Sequence, residues 1–361
     1  MSEIFKIRSS LKDYDVEITL GGVVALLEEC SWNVVVDKNV HSLWPSLNLN
    51  TPIIVEALEG NKTLDTVGYL IESLREQGVS RGEAILAIGG GIIQDVSTFS
   101  ASSYMRGLPW VYVPTTLLGM TDSCIGGKSS INVGKYKNIA GNFYPPEKVI
   151  VDVNFCKTLS EQQLVEGLCE AVKICYAHSA ERLDQYLAIV GESELLSGIN
   201  YEQVVTLSLL AKKEFIEEDE FDLGIRLLLN FGHTFGHALE GASDFAISHG
   251  IAVGLGMISA YKLSQSLGLL GTDKTRVGKL LSHVSTLLEK DDNLSSIIKS
   301  IDMSDALEKF KSDKKHEPQN FLAILFDQEN NLVRHKFAKT TQHEKLILEA
   351  FDFLRVYKNE I

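Results

Sequence analysis

The amino-acid sequence predicts two domains, an α/β domain built on a largely parallel sheet and, after it, an all-α domain. In the first half of the chain, short runs rich in Val and Ile alternate with helical patterns, as buried strands alternate with crossover helices in parallel sheets. From Ser160 onward, apolar residues recur at helical spacing almost throughout. The length of 361 residues is sufficient for two domains with a sizeable core. We therefore place the domains at residues 1–159 and 160–361.

The individual elements follow from the same patterns. Buried strands, indicated by the Val- and Ile-rich runs, are predicted at 15–20, 33–36, 52–57, 84–89, 110–114 and 149–153. Between these strands, apolar residues at helical spacing predict helices at 64–77 and 95–105. In the second domain, the same spacing predicts helices at 203–216, 227–240, 251–267 and 305–310.

The composition limits the class of protein. The formal net charge is −14 and the isoelectric point about 5.2, which argues against binding to nucleic acid or to an anionic membrane, because both require basic patches. The chain contains no run of about 18 apolar residues, so we expect no membrane span. The first residues contain no apolar signal core, and the five cysteines include no C-x-x-C pair. We therefore expect a cytoplasmic protein with reduced thiols.

One stretch carries the strongest sign of chemistry, Asn230-Phe-Gly-His-Thr-Phe-Gly-His237. If this stretch is helical, its spacing places Asn230, His233 and His237 on one face of the helix. The two glycines between these residues have no side chains, which lets another backbone come close.

Two further groups extend this stretch to a candidate ligand set. Glu170 and Lys173 share a helical face upstream, and His249 follows downstream. Two histidines and a carboxylate are the ligand set of a catalytic zinc ion, whose fourth position is left for water or substrate. The alternative is a solvated helix face or a hydrogen-bonded core network, which polar residues at helical spacing form more often. The residues alone leave both alternatives open.

Two glycine-rich segments lie in the first domain. The first, Ala87-Ile-Gly-Gly-Gly-Ile-Ile-Gln-Asp95, follows a predicted strand and opens a helix, where the backbone can approach a pyrophosphate and the helix N-terminus attracts its charge. A tight strand-to-helix turn explains this segment equally well. The second runs from Asp122 to Asn138, and its Lys128, Lys137 and Asn138 suit a phosphate or a carboxylate.

In this order, the motifs resemble those of the 3-dehydroquinate synthases, a family of sugar phosphate cyclases. The segments that carry the resemblance are Gly89-Gly-Gly-Ile-Ile-Gln-Asp95, Tyr104-Met-Arg-Gly107, Val113-Pro-Thr-Thr-Leu-Leu118, Asp122-Ser-Cys-Ile-Gly-Gly-Lys128, Lys137-Asn138, Glu170-Ala-Val-Lys173, Arg226-Leu-Leu-Leu-Asn230-Phe-Gly-His-Thr-Phe-Gly-His237, His249-Gly250 and Asp313-Lys-Lys315. The resemblance extends from about Asp37 to Lys315. It implies the dehydroquinate synthase-like fold, a Rossmann-like NAD-binding α/β domain followed by an all-α metal-binding domain.

The resemblance also implies a role for each motif residue. It implies that a zinc ion, with Co²⁺ as an alternative, is held by Glu170, His233 and His249. It implies that NAD lies along Asp37, Asn39, Glu59, Lys62, Gly90, Gly91, Asp95, Thr115, Thr116, Lys128, Lys137, Phe155 and Thr158. It implies that the substrate meets Asp122, Lys128, Asn138, Lys173, Lys212, Arg226, Asn230, His237 and the Lys314/Lys315 pair. Arg106 resembles a family arginine that reaches the site of a neighbouring subunit, which implies a homodimer.

The activity implied is that of a 3-dehydroquinate synthase in the shikimate pathway. Such an enzyme converts 3-deoxy-arabino-heptulosonate 7-phosphate to 3-dehydroquinate and phosphate, with transient reduction of NAD. In this activity Arg226 and Lys212 could hold the substrate carboxylate. The groups that could hold the phosphate are Lys128, Asn138, Asn230, His237 and Arg106. His237 is then a substrate contact rather than a partner of His233 in metal binding.

Some positions depart from the family pattern. Gln94 stands where the family usually has Gly, Gln163 stands where Glu is usual, Ser129-Ser130 replaces a Thr-Gly pair, and Asn142-Phe-Tyr-Pro-Pro146 replaces a commoner ending. These departures leave open another sugar phosphate cyclase of secondary metabolism. A polyol or glycerol-type NAD-dependent dehydrogenase on the same fold, and a non-catalytic protein that binds NAD and zinc, are alternatives from other classes.

Overall fold

The computed structural model of the chain describes residues 3–29, 31–134, 136–191 and 196–360. The chain forms two compact units, residues 1–160 with 197–221, and residues 161–196 with 222–361. The sequence places a single boundary after residue 159, next to the first of these transitions. The structure adds the helix Tyr201–Glu218 to the first unit, where its Ser208 hydroxyl donates to the carbonyl of Thr121 and its Lys212 ammonium donates to that of Asp122.

The first unit is built on a sheet of seven strands among the described residues. These strands are β1 (Glu3–Ile7), β2 (Tyr14–Thr19), β3 (Asn33–Asp37), β4 (Ile53–Val55), β5 (Ile85–Gly89), β6 (Trp110–Pro114) and β9 (Lys148–Asp152). A separate antiparallel hairpin joins β7 (Lys128–Val133) to β8 (Tyr136–Phe143). The strand order in the sheet is β1-β2-β9-β6-β5-β3-β4, and only β1 and β2 pair antiparallel.

Five helices accompany these strands among the described residues of the first unit. They are α1 (Gly22–Glu29), α2 (Lys38–Leu43), α3 (Leu64–Glu76), α4 (Gly91–Ser103) and α7 (Tyr201–Glu218). Every residue of β5 and β6 is buried, as expected for parallel strands covered on both faces. The α/β class predicted from the sequence is therefore confirmed, and all six predicted strands are present.

Three strands of the first unit lie outside those predictions. No strand is predicted from the sequence at β1, β7 or β8. Their residues are mostly exposed or half-buried, so their sequences lack the continuous Val- and Ile-rich runs of the buried strands. The pattern that finds buried strands therefore misses strands that face solvent.

The second unit is mainly helical. Its helices are α5 (Glu161–His178), α6 (Ala180–Val190), α8 (His233–Ala242), α9 (His249–Ser266), α10 (Thr275–Leu288), α11 (Leu294–Ser300), α12 (Met303–Lys311) and α13 (Thr341–Asp352). The prediction of an all-α domain needs one correction, because β10 (Asn320–Phe326) and β11 (Leu332–Ala338) form an antiparallel hairpin. β10 is a short, continuous apolar run, and periodicity alone cannot distinguish such a run from a buried helix segment.

The helix predicted at 227–240 is also corrected. A 3-10 helix covers Ile225–Asn230, and α8 begins only at His233. Between them, Gly232 adopts the left-handed conformation at φ 77°, which interrupts the helix. Asn230 therefore lies on a different element from His233 and His237. No helix within the described ranges is long and apolar enough to cross a bilayer.

The cysteines are consistent with the expectation of reduced thiols. Cys124, Cys156, Cys169 and Cys175 are buried free thiols. Cys30 lies outside the described residues.

Candidate metal and cofactor sites

Three helices of the second unit bring a carboxylate and two imidazoles together. Glu170 lies in the middle of α5, His233 is the first residue of α8, and His249 is the first residue of α9. Glu170 Oε1 lies 3.7 Å from Nε2 of His233 and 3.6 Å from Nε2 of His249. One ligand atom from each residue lies within 4.8 Å of the others. The three residues implied as metal ligands are thus neighbours in the fold.

Glycines explain why these helices come so close. A Cβ atom at Gly236 of α8 would lie 2.9 Å from the carbonyl oxygen of Ala252 on α9. A Cβ atom at Gly250 of α9 would lie 2.5 Å from Cα of Glu166 on α5. Only glycine lacks a Cβ atom, so any other residue at these positions would push the helices apart. The close packing of the α9 backbone against α5 and α8 therefore sets the distances within the cluster. The sequence-based expectation of a close backbone approach beside His233 is confirmed.

The hydrogen bonds of the two imidazoles direct the same ring nitrogen toward Glu170. Nδ1 of His233 lies 3.2 Å from the carbonyl oxygen of Phe231, and Nδ1 of His249 lies 2.7 Å from Oε1 of Glu240. An oxygen acceptor at Nδ1 favours the tautomer that carries its hydrogen there. The lone pair of each ring is then on Nε2, which faces Glu170. A carboxylate or carbonyl behind each ligating histidine is the usual arrangement in protein metal sites.

The charges around the cluster are balanced by a buried lysine. The side chains of Glu170 and Lys173 are 0% and 1% exposed, and Lys173 Nζ contacts Glu170 Oε2 directly. Burial, reinforced by the charge of Lys173, holds the pKa of His233 well below its usual value. Burial also acts against the charged form of His249, but the hydrogen bond and charge of Glu240 outweigh it and raise the pKa of His249. His233 is therefore neutral at neutral pH, as a metal ligand must be.

The donor set fits a divalent transition metal. Two imidazole nitrogens and one carboxylate oxygen are the protein ligands of many catalytic zinc sites, and they leave a coordination position for another ligand. A second group of His237, Glu240 and His249 also brings its ligand atoms within 4.8 Å of one another. In that group Nδ1 of His249 is already hydrogen-bonded to Glu240, so we favour the first group.

Two residues implied in substrate binding line a cavity of the second unit. Asn230 and Lys315 line a cavity of about 140 Å³ with residues of the β10–β11 hairpin, among them Arg334. Burial lowers the pKa of Lys315. Lys314, by contrast, is exposed. Of the lysine pair implied by the motif, Lys315 is the one that the fold directs into this cavity.

Other implied substrate residues of the second unit are also placed by the fold. Arg226 is buried within the 3-10 helix Ile225–Asn230. The ring centroid of His237 lies 5.7 Å from that of His249 in a stacked arrangement, and 5.5 Å from that of His233. His237 is thus next to both imidazoles of the metal group.

In the first unit, several residues implied in NAD binding lie at the carboxyl ends of neighbouring strands. Asp37 ends β3, Gly89 ends β5 and leads into Gly90 and Gly91, and Thr115 and Thr116 follow β6. After β3 the chain continues to β4, which pairs with one edge of β3, and the next strand, β5, pairs with the opposite edge of β3. Ligands of open α/β sheets bind at such a reversal of strand order. The side chain of Asp37 also accepts a hydrogen bond of 2.8 Å from the backbone of Asn39, and burial raises its pKa.

The second glycine of the first segment has a steric role. A Cβ atom at Gly90 would lie 2.9 Å from Cγ2 of Thr116. Gly90 is the N-cap of α4, and no side chain accepts a hydrogen bond from the first turn there, as in helix N-termini that bind anions. At the other end of the implied NAD set, Phe155 and Thr158 both contact Trp44: the ring of Phe155 packs edge-on against it, and Trp44 Nε1 donates to the Thr158 hydroxyl at 3.1 Å.

Two ion pairs join further implied NAD residues. Nζ of Lys62 lies 2.7 Å from Oδ2 of Asp95, and both side chains are largely buried. Burial raises the pKa of Asp95, although Lys62 acts in the opposite direction. Nζ of Lys137 lies 3.5 Å from Oε1 of Glu59. These four residues are thus paired within the first unit.

The implied substrate residues of the first unit fall into separate places. Nζ of Lys212 lies 2.5 Å from Oδ1 of Asp122. Lys128 and Asn138 lie on the β7–β8 hairpin. Arg106 is exposed in a turn where Met105, Arg106 and Gly107 all have positive φ. The fold thus brings Asp122 and Lys212 together and places Arg106 at the surface.

Sequence reasoning missed two kinds of residue in these sites. Glu240 lies behind His249, and its only signal was its position three residues after His237 on a predicted helix. Ser130 and Asn132, on the β7–β8 hairpin, both contact Asn138; Ser130 also contacts Asp95, and Asn132 also contacts Glu59. Because that hairpin was not predicted, nothing in the sequence placed them beside those residues.

Comparisons with known proteins agree with this architecture. Residues 52–166 match the family model described as 3-dehydroquinate synthase N-terminal, and residues 167–316 match 3-dehydroquinate synthase C-terminal. A 3-dehydroquinate synthase of Sulfolobus acidocaldarius is 38% identical over 294 residues, which cover 77% of this chain and 82% of that protein. The chain belongs to the 3-dehydroquinate synthase family. A second relative, from Enterococcus faecalis, is 41% identical, and the match covers 66% of this chain and 64% of that protein's length.

Solved structures outside the 3-dehydroquinate synthases themselves share the fold. A 2-epi-5-epi-valiolone synthase from Streptomyces hygroscopicus with NAD⁺ and Zn²⁺ bound has a TM-score of 0.80 at 26% identity, covering 96% of this chain and 98% of that one. A 2-deoxy-scyllo-inosose synthase has a TM-score of 0.79 at 23% identity, covering 97% and 99%. A probable glycerol dehydrogenase from Sinorhizobium meliloti has a TM-score of 0.59 at 14% identity, covering 95% and 97%. The last two show the fold alone.

Proposed function

We propose that this member of the 3-dehydroquinate synthase family has the activity of the family: conversion of 3-deoxy-arabino-heptulosonate 7-phosphate to 3-dehydroquinate and phosphate. The observation that carries the proposal is the cluster of Glu170, His233 and His249, in a chain that matches both halves of the family model. Relatives named 3-dehydroquinate synthase at 35–41% identity support it. The protein would act in the shikimate pathway, and we expect it in the cytoplasm.

NAD and Zn²⁺ are the proposed cofactors, and Co²⁺ is an alternative that the same donor set accepts. The valiolone synthase of the same fold, which contains NAD⁺ and Zn²⁺, supports this choice. When bound, NAD accepts and returns a hydride, and the metal ion polarises the hydroxyl group that is oxidised. The residues proposed to hold NAD are the complete set that the resemblance implies, which includes those at the strand ends and in the two ion pairs of the first unit. The residues proposed to hold the metal are Glu170, His233 and His249.

In the second unit, we assign the proposed roles by charge and shape. The Lys173 ammonium would balance the charge of Glu170, so that this buried carboxylate stays ionised and can act as a ligand. Arg226 would bind the substrate carboxylate through the planar fork of its guanidinium group. Asn230, His237 and Lys315 would bind the phosphate group, since an amide, an imidazole and an ammonium group all donate hydrogen bonds.

In the first unit, Lys128 and Asn138 are proposed as phosphate ligands and the Asp122–Lys212 pair as a contact of the substrate. Arg106, exposed in its strained turn, would reach the site of a partner subunit in a homodimer. This last assignment follows from the family resemblance, and the oligomeric state is tested by sedimentation equilibrium.

The experiment that tests the proposed activity measures phosphate and NADH together. Purified protein receives Zn²⁺, a catalytic amount of NAD and the heptulosonate phosphate. We expect many turnovers of phosphate release without net accumulation of NADH, because oxidation and reduction occur within one cycle. Stoichiometric NADH formation would instead assign the protein to the dehydrogenases.

Arg226 separates this substrate from those of related cyclases. Arg226→Met removes the guanidinium group from a buried position, so we expect a loss of about 2–5 kcal/mol in transition-state binding of the heptulosonate phosphate. The wild type should reject sedoheptulose 7-phosphate, because that substrate has no carboxylate for the guanidinium group to bind. Equal turnover of both sugar phosphates, or an unimpaired Arg226→Met variant, would favour a cyclase of secondary metabolism.

A further inference from the structure

Ser130 on β7 stands where the family pattern has glycine. Its backbone N–H donates to Oδ1 of Asp95 at 2.9 Å. Its hydroxyl oxygen lies 2.9 Å from Oδ1 of Asn138 and 3.2 Å from Oδ2 of Asp95. Nζ of Lys62 donates to the same hydroxyl oxygen at 3.2 Å. One side chain thus contacts two residues proposed for NAD and one proposed for phosphate.

The Ser130 hydroxyl can act both as a donor and as an acceptor of hydrogen bonds. A serine hydroxyl has one hydrogen to donate and two lone pairs to accept. Lys62 supplies a hydrogen to the hydroxyl oxygen, and it also neutralises Oδ2 of Asp95 at 2.7 Å. Of the two acceptors of the Ser130 hydroxyl, Oδ1 of Asn138 at 2.9 Å is nearer than Oδ2 of Asp95 at 3.2 Å, and we assign the hydrogen to the nearer one. The carbonyl edge of the Asn138 amide is then turned to Ser130, and its two N–H donors are on the opposite edge of the amide.

The backbone of Asn138 is held by a second asparagine. Asn138 has a positive φ of 53°, and its N–H donates to Oδ1 of Asn132 at 2.9 Å. Nδ2 of Asn132 donates in turn to Oε1 of Glu59 at 2.9 Å. A left-handed conformation persists only where the surroundings hold it, although Asn tolerates it better than most residues. Backbone and side chain of Asn138 are thus fixed from two different directions.

We propose that Ser130 is a positioning residue whose hydroxyl orients the amide of Asn138 toward the phosphate group of the substrate and joins it to the Lys62–Asp95 ion pair. This inference rests on the proposed function, because it takes Asn138 as a phosphate ligand. It extends that function by giving a role to a serine that departs from the family pattern.

A neighbouring serine supplies a matched control. Ser129 is the preceding residue of the same strand, and its hydroxyl donates to Oδ1 of Asn142 at 2.7 Å. Asn142 continues to the hydroxyl of Ser102 and has no proposed role in ligand binding. Ser129→Ala therefore removes a hydroxyl group from the same strand, but the hydrogen bond that is lost is to Asn142 and not to Asn138.

The experiment measures dissociation constants of inorganic phosphate and of NAD by calorimetry, separately and without turnover. Ser130→Ala should weaken phosphate binding about 3- to 10-fold, the effect of one lost hydrogen bond, while NAD binding changes less than about twofold because the Lys62–Asp95 pair remains. Ser130→Thr, which keeps the hydroxyl, should restore phosphate binding. Ser129→Ala should change neither constant. In an Asn138→Ala background, Ser130→Ala should have no further effect on phosphate binding.

Several results would overturn the proposal. The proposal is wrong if Ser130→Ala binds phosphate as tightly as the wild type, or if it weakens the binding of phosphate and of NAD equally. It is also wrong if Ser129→Ala weakens phosphate binding to the same extent, or if Ser130→Ala keeps its full effect in the Asn138→Ala background. Finally, it is wrong if the wild type does not bind phosphate. Failure of the proposed function has a different signature. The wild type would then bind phosphate and respond to Ser130→Ala as described, but would release no phosphate from the heptulosonate phosphate.

Discussion

Gly250→Ala tests how the cluster of Glu170, His233 and His249 is assembled, because it changes none of these three residues. The added Cβ atom would lie 2.5 Å from Cα of Glu166 and 2.6 Å from its carbonyl oxygen. Carbon atoms in contact normally lie about 3.5–4.0 Å apart, so α9 has to move away from α5 by about 1 Å. His249, the residue before Gly250, moves with α9 away from Glu170. Metal sites require their ligands within about 0.2 Å of the ideal distances.

We therefore expect the affinity for Zn²⁺ to fall at least about 10-fold, which is the lower bound for perturbing the supports of a ligand. We also expect the free energy of unfolding to fall by about 1–3 kcal/mol, the usual cost of overpacking. The affinity is measured on the apoprotein by competition with a chromophoric chelator, and the stability by urea denaturation followed by circular dichroism.

Gly278→Ala provides the matched control on α10. A Cβ atom at residue 278 would meet no atom within 4 Å. Since Ala is favoured over Gly inside a helix, this variant should be more stable by about 0.5–1 kcal/mol, with unchanged affinity for Zn²⁺. If Gly250→Ala binds Zn²⁺ as tightly as the wild type, the contact of α9 with α5 does not set the geometry of the cluster, and our account of its assembly is wrong.

Three further predictions concern the second unit. Glu170→Gln should lower the free energy of unfolding of the apoprotein by about 3–5 kcal/mol, because it removes the carboxylate that contacts the buried Lys173. In urea denaturation, the double variant with Lys173→Met should recover much of this loss. If Glu170→Gln alone leaves the stability unchanged, the reasoning is wrong. Removal of metal by a chelator should stop phosphate release and added Zn²⁺ should restore it, whereas activity that persists after complete demetallation would exclude the metal. Burial lowers the pKa of His283 to about 4, so the unfolded chain binds a proton more readily between that value and about 6.5, and stability should fall as the pH is lowered through this range. His283→Gln should flatten the pH dependence of the thermal midpoint, and an unchanged profile would show that His283 does not contribute.

Much of the fold could be predicted because buried elements leave a periodic pattern. The central strands of the sheet are continuous apolar runs, and each was predicted within two residues of its observed ends. The β7–β8 hairpin was not predicted, since its residues are mostly polar and half-exposed. The break before His233 was also missed. Gly232 signalled close packing in the sequence, but its left-handed conformation depends on α9, whose Val253 carbonyl oxygen would lie 2.6 Å from any Cβ atom.

The candidate site shows the same division. The sequence by itself determined the chemical types of the proposed metal ligands, because an ordered set of motifs specifies a family. It named Glu170, His233 and His249 before any distance was known. Only the tertiary structure decided that these residues meet, that Glu240 lies behind His249, and that Lys315 rather than Lys314 enters the cavity. The physical reason is that periodicity along a chain reports which face of an element is buried, whereas a distance between residues on three helices depends on how closely their backbones pack. In this protein that packing is set by glycines whose partners lie tens of residues away, and no local pattern contains them.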